Sequence, residues 1–112
     1  MNKRRYGDSL EDYVKYSAER YGVKLRKSTN SGAVNQSDAD LSNEWFHIEC
    51  KRKNKPKPSV SIRDWEKIQQ QALQRNTMPV LVNGCEDFNK TLVTLSLSDF
   101  VKLLTAWEHA QD

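Results

Sequence analysis

Two acidic residues and one lysine stand at a spacing that suits phosphodiester chemistry. Glu49 and Lys51 lie two positions apart in a segment whose start is apolar, and Asp40 lies nine positions before Glu49. The apolar start predicts a strand, so Glu49 and Lys51 share one face while Cys50 takes the other. Two carboxylates can hold a hard divalent cation, and a neighbouring lysine can orient a water or neutralise phosphate charge. The three residues therefore indicate a metal-dependent phosphodiesterase site.

The two carboxylates converge under only one strand register. If Asp40 and Glu49 are directly opposite on antiparallel strands, the turn is centred on residues 44–45, and opposed residues share a face. A turn at residues 42–44 would instead pair Asp40 with Phe46 and leave Glu49 roughly 10 Å away. Turn chemistry favours this second register because residues 42–44 are polar. The site requires the first register, which is the one we expect.

Basic residues cluster around the same segment. The net charge is only +3, from 18 basic and 15 acidic residues, but 11 of the basic residues fall in three short runs. Clustered positive charge is typical of a polyanion-binding surface, although solvated loops also carry such runs. Because one run directly follows Glu49, nucleic acid is the favoured partner. The runs are Lys3-Arg4-Arg5, Lys24-Arg26-Lys27 and Lys51-Arg52-Lys53-Lys55-Lys57.

The elements that position these residues follow from hydrophobic periodicity and capping residues. We expect one α/β domain over residues 1–112, in the order αβββαββα, with a central mixed sheet flanked by helices. Residues 1–7 form a basic arm. The expected bounds are a helix 9–22, strands 23–27, 38–41 and 46–52, a helix 61–76, strands 78–82 and 91–95, and a helix capped by Ser98.

Apolar side chains at helical spacing predict which helix faces meet the core. The expected core-facing residues are Ile62, Trp65, Ile68, Ala72 and Leu73 in the second helix, and Phe100, Val101, Leu104 and Trp107 in the third. Trp45 fits an exposed stacking or interface position. We expect a buried Cys50 and a free Cys85 rather than a disulfide.

The motif resembles the signature of the PD-(D/E)xK nuclease superfamily. Asp40 followed by Glu49-Cys50-Lys51 carries the resemblance, and the preceding segment extends it to residues 8–52: a helix with Glu11, a glycine, a basic strand and Ser31-Gly32. This order is similar to that of archaeal Holliday-junction resolvases and small phage nucleases. Other parts of the chain resemble the superfamily only in element order.

The resemblance implies a restriction-endonuclease-like fold and a Mg²⁺-dependent endonuclease, with Mn²⁺ as a substitute. Glu11, Asp40, Glu49 and the Cys50 carbonyl are then expected to bind metal, and Lys51 to position the attacking water. Cleavage of two DNA strands needs two sites, so a two-fold homodimer on branched or duplex DNA is expected. The residues expected to contact nucleic acid are Lys3, Arg4, Arg5, Arg26, Lys27, Ser28, Ser31, Arg52, Lys53, Lys55 and Lys57.

Several assignments stay open at this point. The proline that precedes the aspartate in this superfamily is Ala39 here, so Asp38 competes with Asp40. Glu19 competes with Glu11, although its place near the helix end fits a solvated face. His47 lies on the same face of the strand as Glu49. Its role stays open between a metal ligand, a general base and a structural residue.

The composition excludes other classes. The chain has no dinucleotide-binding glycine motif, P-loop, CxxC pair or nucleophile elbow, and no apolar run approaches the roughly 20 residues of a membrane span. The basic N-terminus has no secretory apolar segment behind it, so we expect a cytoplasmic protein of a bacterium or a phage-infected cell. The alternative function is a non-catalytic nucleic-acid-binding or nuclease-regulating protein with the same fold.

Overall fold

Serine side chains cap all three helices at their amino ends. Ser9, Ser61 and Ser96 each accept a hydrogen bond from the backbone N–H three residues further on, at 3.1–3.2 Å. Such a cap satisfies one of the N–H groups that a first turn leaves unpaired. The cap of the last helix is therefore Ser96, and the expected cap Ser98 lies within its first turn.

The computed structural model describes residues 9–28 and 39–112. In these two segments the element order is the predicted αβββαββα, and a short 3-10 turn at Phe88–Lys90 separates the last two strands. The bounds are α1 Leu10–Glu19, β1 Arg26–Lys27, β2 Leu41–Ser42, β3 Phe46–Arg52, α2 Ile62–Arg75, β4 Met78–Gly84, β5 Leu92–Thr94 and α3 Leu97–Ala110.

The five strands form one mixed sheet in the order β1-β2-β3-β4-β5. Strand β3 pairs antiparallel with β2 and parallel with β4, and the other two pairs are antiparallel. Helix α2 makes the crossover between the parallel strands. The prediction of a single α/β domain with a central mixed sheet is confirmed.

The sheet separates two layers of apolar side chains. On one face, α1 packs through Leu10 against the even-numbered residues of β3 and β4, such as Ile48 and Val82. Its approach is close, because a Cβ atom on Gly84 would lie only 2.8 Å from Leu10. On the other face, α2 buries Ile68 and Ala72. Odd-numbered residues of β3, including Glu49, therefore belong to the α2 side.

The β2–β3 turn has the register that the candidate site requires. Leu41 is opposite Ile48, and the turn is centred on residues 44–45. The Asn43 carboxamide oxygen accepts hydrogen bonds from the backbone N–H groups of Trp45 and Phe46, both at 2.9 Å. Asparagine thus supplies the turn geometry through its side chain. The alternative register, with the turn at the polar residues 42–44, is therefore wrong.

Helix α3 does not have the core-facing stripe that its periodicity predicts. None of its residues is buried: Phe100 and Val101 are each 48% exposed, Leu104 46% and Trp107 68%. In α2 the stripe is confirmed at Ile68 and Ala72, but its outer members Ile62 and Leu73 lie exposed. Periodicity identifies an apolar helix face without identifying what covers it.

The Asn43 turn gives a prediction about stability. Asn43→Ala removes an acceptor shared by two backbone N–H groups, and also the donation from its Nδ2 to the Lys24 carbonyl at 3.1 Å. We expect the free energy of unfolding to fall by about 1–2 kcal/mol in urea titrations. Asn43→Asp keeps the acceptor oxygens and serves as the matched control, with most of the loss recovered. Equal losses of unfolding free energy in Asn43→Ala and Asn43→Asp would mean that the acceptor oxygen of the turn contributes nothing to stability.

Candidate functional site

The hairpin register brings Asp40 and Glu49 to facing positions. Leu41 pairs with Ile48, so one residue outward Asp40 stands opposite Glu49. The Asp40 Oδ2 atom accepts a hydrogen bond from the Cys50 backbone N–H at 2.8 Å, which fixes its carboxylate against β3. On β3 the Lys51 ammonium lies 3.6 Å from the Glu49 Oε2 atom. Both carboxylates and the lysine of the sequence motif are thereby assembled.

Burial makes ionisation of both carboxylates unfavourable. It is the main cause that raises the pKa of Asp40 and of Glu49 above their ordinary values. Asp40 raises the pKa of Glu49 further through like-charge repulsion, while Lys51 lowers the pKa of both. Because a divalent cation relieves both the repulsion and the desolvation, carboxylates in this state suit a cation site.

Glu11 is the better placed of the two helix glutamates. Its negative charge lies near enough to raise the pKa values of Asp40 and Cys50, although burial is the larger cause for both. Glu19 instead forms an ion pair with Lys15 one turn before it, on the exposed side of α1. The structure therefore brings Glu11, rather than Glu19, toward the hairpin.

The donor atoms at the hairpin are of the kind that Mg²⁺ prefers. The carboxylates of Asp40 and Glu49 are hard oxygen ligands. The N–H of Cys50 points to Asp40, and its carbonyl shares that side of β3, because the two groups of one strand residue point the same way. Across residues 9–28 and 39–112, however, no three Asp, Glu, His or Cys side chains are arranged to hold a metal ion. The metal site stays a prediction, and the competing Asp38 lies outside the described residues.

His47 has a structural setting. It is 2% exposed, and its Nε2 atom lies 3.1 Å from the Gln71 Oε1 atom of α2. Gln71 belongs to a run of three glutamines, of which Gln69 and Gln70 are exposed. The hydrogen bond ties α2 to β3 two residues from Glu49, so His47 supports the strand that carries the site.

The expected nucleic-acid contacts fall into two groups in the described segments. Lys27 forms an ion pair with Asp12 at 2.8 Å, which raises the pKa of Lys27 and lowers that of Asp12. Arg52 donates to the Cys85 carbonyl at 3.0 Å and lies over the Phe88 ring. Both residues thus have internal partners. Lys53 is exposed but also has an internal partner, since its ammonium donates to the Ser59 hydroxyl at 2.9 Å. The other group contains the exposed residues Arg26, Lys55 and Lys57 and the half-buried Ser28.

Four of the expected contacts, Lys3, Arg4, Arg5 and Ser31, lie outside the described residues. Their role in nucleic-acid binding stays a prediction, as does that of the exposed group.

The basic loop after β3, residues 53–59, is anchored by residues that the sequence did not single out. Asn83, buried on β4 beside Lys51, donates to the Ser59 carbonyl and accepts from the Thr94 hydroxyl. The Glu86 N–H donates to the Lys55 carbonyl at 2.9 Å. These contacts join distant parts of the chain, so no local pattern could indicate them. They hold the loop lysines near the carboxyl end of β3.

An open cavity of about 490 Å³ lies beside the hairpin on the His47 side of the sheet. Arg26 and Lys27 line it from β1, and Arg75 lines it from the end of α2. Arg75 was not among the expected contacts, because an isolated arginine on a helix gives no sequence signal. Lys67, also on α2, lowers the pKa of Glu49 by its charge. Neither Asp40 nor Glu49 lines the cavity, so the positive charges that act on the Glu49 carboxylate are those of Lys51 and Lys67.

Comparisons with known proteins returned no matching family model, no matching curated protein and no matching solved structure. The resemblance to the PD-(D/E)xK nucleases therefore stays a prediction from the sequence motif. In the part of the chain described, no helix combines the length and apolar composition needed to cross a bilayer.

The raised pKa of Glu49 predicts how stability depends on pH. An acid whose pKa is higher in the folded state binds more protons when folded, so its contribution to stability falls as pH rises above its ordinary pKa of 4.5. Glu49→Gln removes this titration. We expect the free energy of unfolding of Glu49→Gln, relative to the unmodified protein, to increase between about pH 4 and pH 8 in chelator-treated guanidinium titrations.

Glu66→Gln, which removes the same charge from an exposed position of α2, is the matched control. A difference for Glu49→Gln that decreases with rising pH would mean that the folded protein favours the ionised carboxylate.

Proposed function

We propose that the protein is a metal-dependent DNA endonuclease of the PD-(D/E)xK superfamily. The observation that carries the proposal is the hairpin register, which sets Asp40 opposite Glu49 with the Lys51 ammonium 3.6 Å from the Glu49 carboxylate. Structural ion pairs on strands are common, but they do not require two desolvated carboxylates to face each other. A cation would compensate the two carboxylates, and the Lys51 ammonium would compensate the negative charge of a phosphate.

The residues have distinct roles in phosphodiester hydrolysis. Asp40, Glu49 and the Cys50 carbonyl would hold the cation, with Glu11 as a ligand either directly or through water. Mg²⁺, when bound, would supply Lewis-acid polarisation of a phosphoryl oxygen. Lys51, whose side chain is 41% exposed, orients the attacking water and stabilises negative charge that develops on the phosphate. The products are a 5′-phosphate and a 3′-hydroxyl, as in the resembled nucleases.

The surrounding positive charge supports DNA as the substrate. The loop lysines follow directly from Lys51, and Asn83 anchors the loop through Ser59. Arg26 and Arg75 line the cavity on the same side of the sheet as the carboxylates. A duplex whose scissile phosphate lies at Lys51 would meet these cations along its backbone. Contacts to phosphates carry little sequence information, which fits selection by DNA structure, as in junction-resolving enzymes.

One such site cuts one strand. Cleavage of both strands of a duplex or a four-way junction requires two sites in opposite orientation, which a two-fold homodimer supplies. We therefore propose that the protein acts as a homodimer on DNA in the cytoplasm of a bacterium or a phage-infected cell.

Lys51→Ala is the direct test of the site. The substitution removes one positioned charge and leaves Asp40, Glu49 and the buried Cys50 in place. With Mg²⁺ or Mn²⁺, we expect the rate of cleavage of a branched or supercoiled DNA to fall on the order of 10²–10³-fold. DNA affinity should fall much less, because one phosphate contact among many is lost. Chelation of divalent ions should abolish cleavage by the unmodified protein.

Lys102→Ala, at an exposed lysine of α3, is the matched control and should cleave at the unmodified rate. A folded Lys51→Ala protein that cleaves as fast as the control would refute the site. Absence of cleavage by the unmodified protein on a panel of branched, nicked and linear DNA would favour the alternative, a nucleic-acid-binding or nuclease-regulating protein.

The basic loop gives a second, independent prediction. Substitution of Lys53, Lys55 and Lys57 by glutamine should weaken DNA binding and reduce the salt dependence of its affinity. Each duplex phosphate contact contributes about 0.9 to the slope of log K against log salt, so the slope should fall by up to about 2.7. Fluorescence anisotropy titrations between about 50 and 300 mM salt measure this slope. An unchanged slope would place the DNA on another surface.

A further inference from the structure

The cavity of about 490 Å³ beside the β2–β3 hairpin is separate from the pair of carboxylates. Its floor follows from the strand pairing, because Arg26 on β1 is opposite Ser42 on β2, and Ser42 is opposite His47 on β3. Opposed residues share a face, so this row lies on the α2 side of the sheet. Helix α2 packs against β3 and β4, and its last turn lines the cavity through Arg75.

Two arginines supply most of the positive charge of this cavity. Arg26 reaches it from β1 and Arg75 from the end of α2, and both residues are exposed. Lys27 also lines the cavity, but its ammonium forms an ion pair with Asp12 of α1 at 2.8 Å. Arginine presents its N–H groups as a fork that matches the oxygens of a phosphate. The cavity therefore has the donors of an anion site.

Each arginine also has an ordinary explanation when it is taken alone. The dipole of α2 favours a cation such as Arg75 in the last turn. A charged residue such as Arg26 on an edge strand discourages pairing with another chain. Neither explanation accounts for two arginines from distant parts of the chain at one cavity. Two positive charges at one cavity repel each other, and an anion bound between them would relieve that repulsion.

The other lining residues favour a phosphate monoester over a diester. Ser28 and Ser42 line the cavity, are half-buried and carry hydroxyl donors. A monoester has a charge of about −1.5 to −2 at pH 7 and three terminal oxygens, so it can use two arginine forks and a hydroxyl. A diester has one charge and two free oxygens. The volume lies in the range of small-ligand sites, so the nucleotide that carries the phosphate can enter as well.

The hairpin turn limits the cavity at the end away from the carboxylates. Asn43 and Glu44 line it there, and Glu44 is the one acid among the described residues that do so. A polynucleotide that continued past the turn would bring its next phosphate toward this carboxylate. Repulsion between the two negative charges therefore favours a strand that ends in the cavity.

We propose that this cavity binds the terminal phosphate monoester of a nucleotide. Arg26 and Arg75 bind the phosphate oxygens, and Ser42 donates its hydroxyl. The ligand is the end of a nucleic-acid strand, and a free mononucleotide offers the same chemistry.

The assignment to a strand end rests on the proposed function. Hydrolysis of the kind proposed above leaves a 5′-phosphate on one product. The row of Ser42 and His47 lies two residues along the strands from the row of Asp40 and Glu49, which is about 7 Å. The new 5′-phosphate can therefore enter the cavity after a short shift. The site would retain the cut end after cleavage.

Fluorescence anisotropy with short single-stranded oligonucleotides tests the cavity. Two probes of one sequence, labelled at the 3′ end, carry either a 5′-phosphate or a 5′-hydroxyl. Chelator is present, so neither metal-dependent cleavage nor cation bridging contributes. We expect the phosphorylated probe to bind about 10-fold more tightly, because its end gains charge-assisted hydrogen bonds. Equal affinities of the two probes would overturn the proposal.

Arginine variants locate the preference. Arg75→Gln should reduce the preference for the phosphorylated probe to about 3-fold or less, and Arg26→Gln should act in the same direction without a change in α2. Arg63→Gln is the matched control, because it removes the same charge from an exposed position in the first turn of α2, about 18 Å away. A preference that Arg63→Gln reduces as much as Arg75→Gln would also overturn the proposal.

Competition separates the two sources of the phosphate. If adenosine 5′-monophosphate displaces the phosphorylated probe and adenosine does not, the terminal nucleotide alone supplies the ligand. If neither competes and the preference for the phosphorylated probe remains, the cavity binds strand ends. Both results support the phosphate site.

A cleavage assay then separates this inference from the proposed function. A preference for the phosphorylated probe in a protein that cleaves no DNA would retain the phosphate site and remove the proposed function. Cleavage of DNA without that preference would do the reverse.

Discussion

The candidate site depends on the two hydrogen bonds that the Asn43 carboxamide accepts from Trp45 and Phe46. They centre the turn of the β2–β3 hairpin between residues 44 and 45. Every pairing further along the two strands follows from that centre, including the position of Asp40 opposite Glu49. Because side chains alternate with a period of two, a shift of one residue in one strand would move its carboxylate to the opposite face of the sheet.

The same register is supported from the core. Leu41 and Ile48 are opposed and buried on the α1 side, so their neighbours Asp40 and Glu49 must face the α2 side. A slip would bury charge among apolar side chains and expose leucine, which is costly in both respects. The hydrophobic core of one face thereby holds two carboxylates together on the other. Their ionisation is unfavourable in this position, as the raised pKa values of both show.

Stability is distributed unevenly over the molecule. Strands β3 and β4 and the helices on either side of them contain most of the buried apolar residues, whereas α3 contributes none. The candidate site and its basic loop are attached to the well-packed part through Cys50, Asn83 and His47.

The sequence by itself determined what depends on neighbours within a few residues. Such local features are the Ser9 cap, the positive φ of Gly22 after α1, the alternation in β3 and the shared face of Glu49 and Lys51. The element order followed from them. Only the tertiary structure decided the hairpin register, since the polar residues 42–44 favoured the wrong one. It also decided the structural role of His47 and the exposure of α3. The role of His47 depends on a contact with Gln71, far away in sequence, whereas the register depends on local contacts of the Asn43 side chain together with the burial of Leu41 and Ile48. An apolar stripe specifies that a face must be covered, but what covers it depends on where the rest of the chain folds.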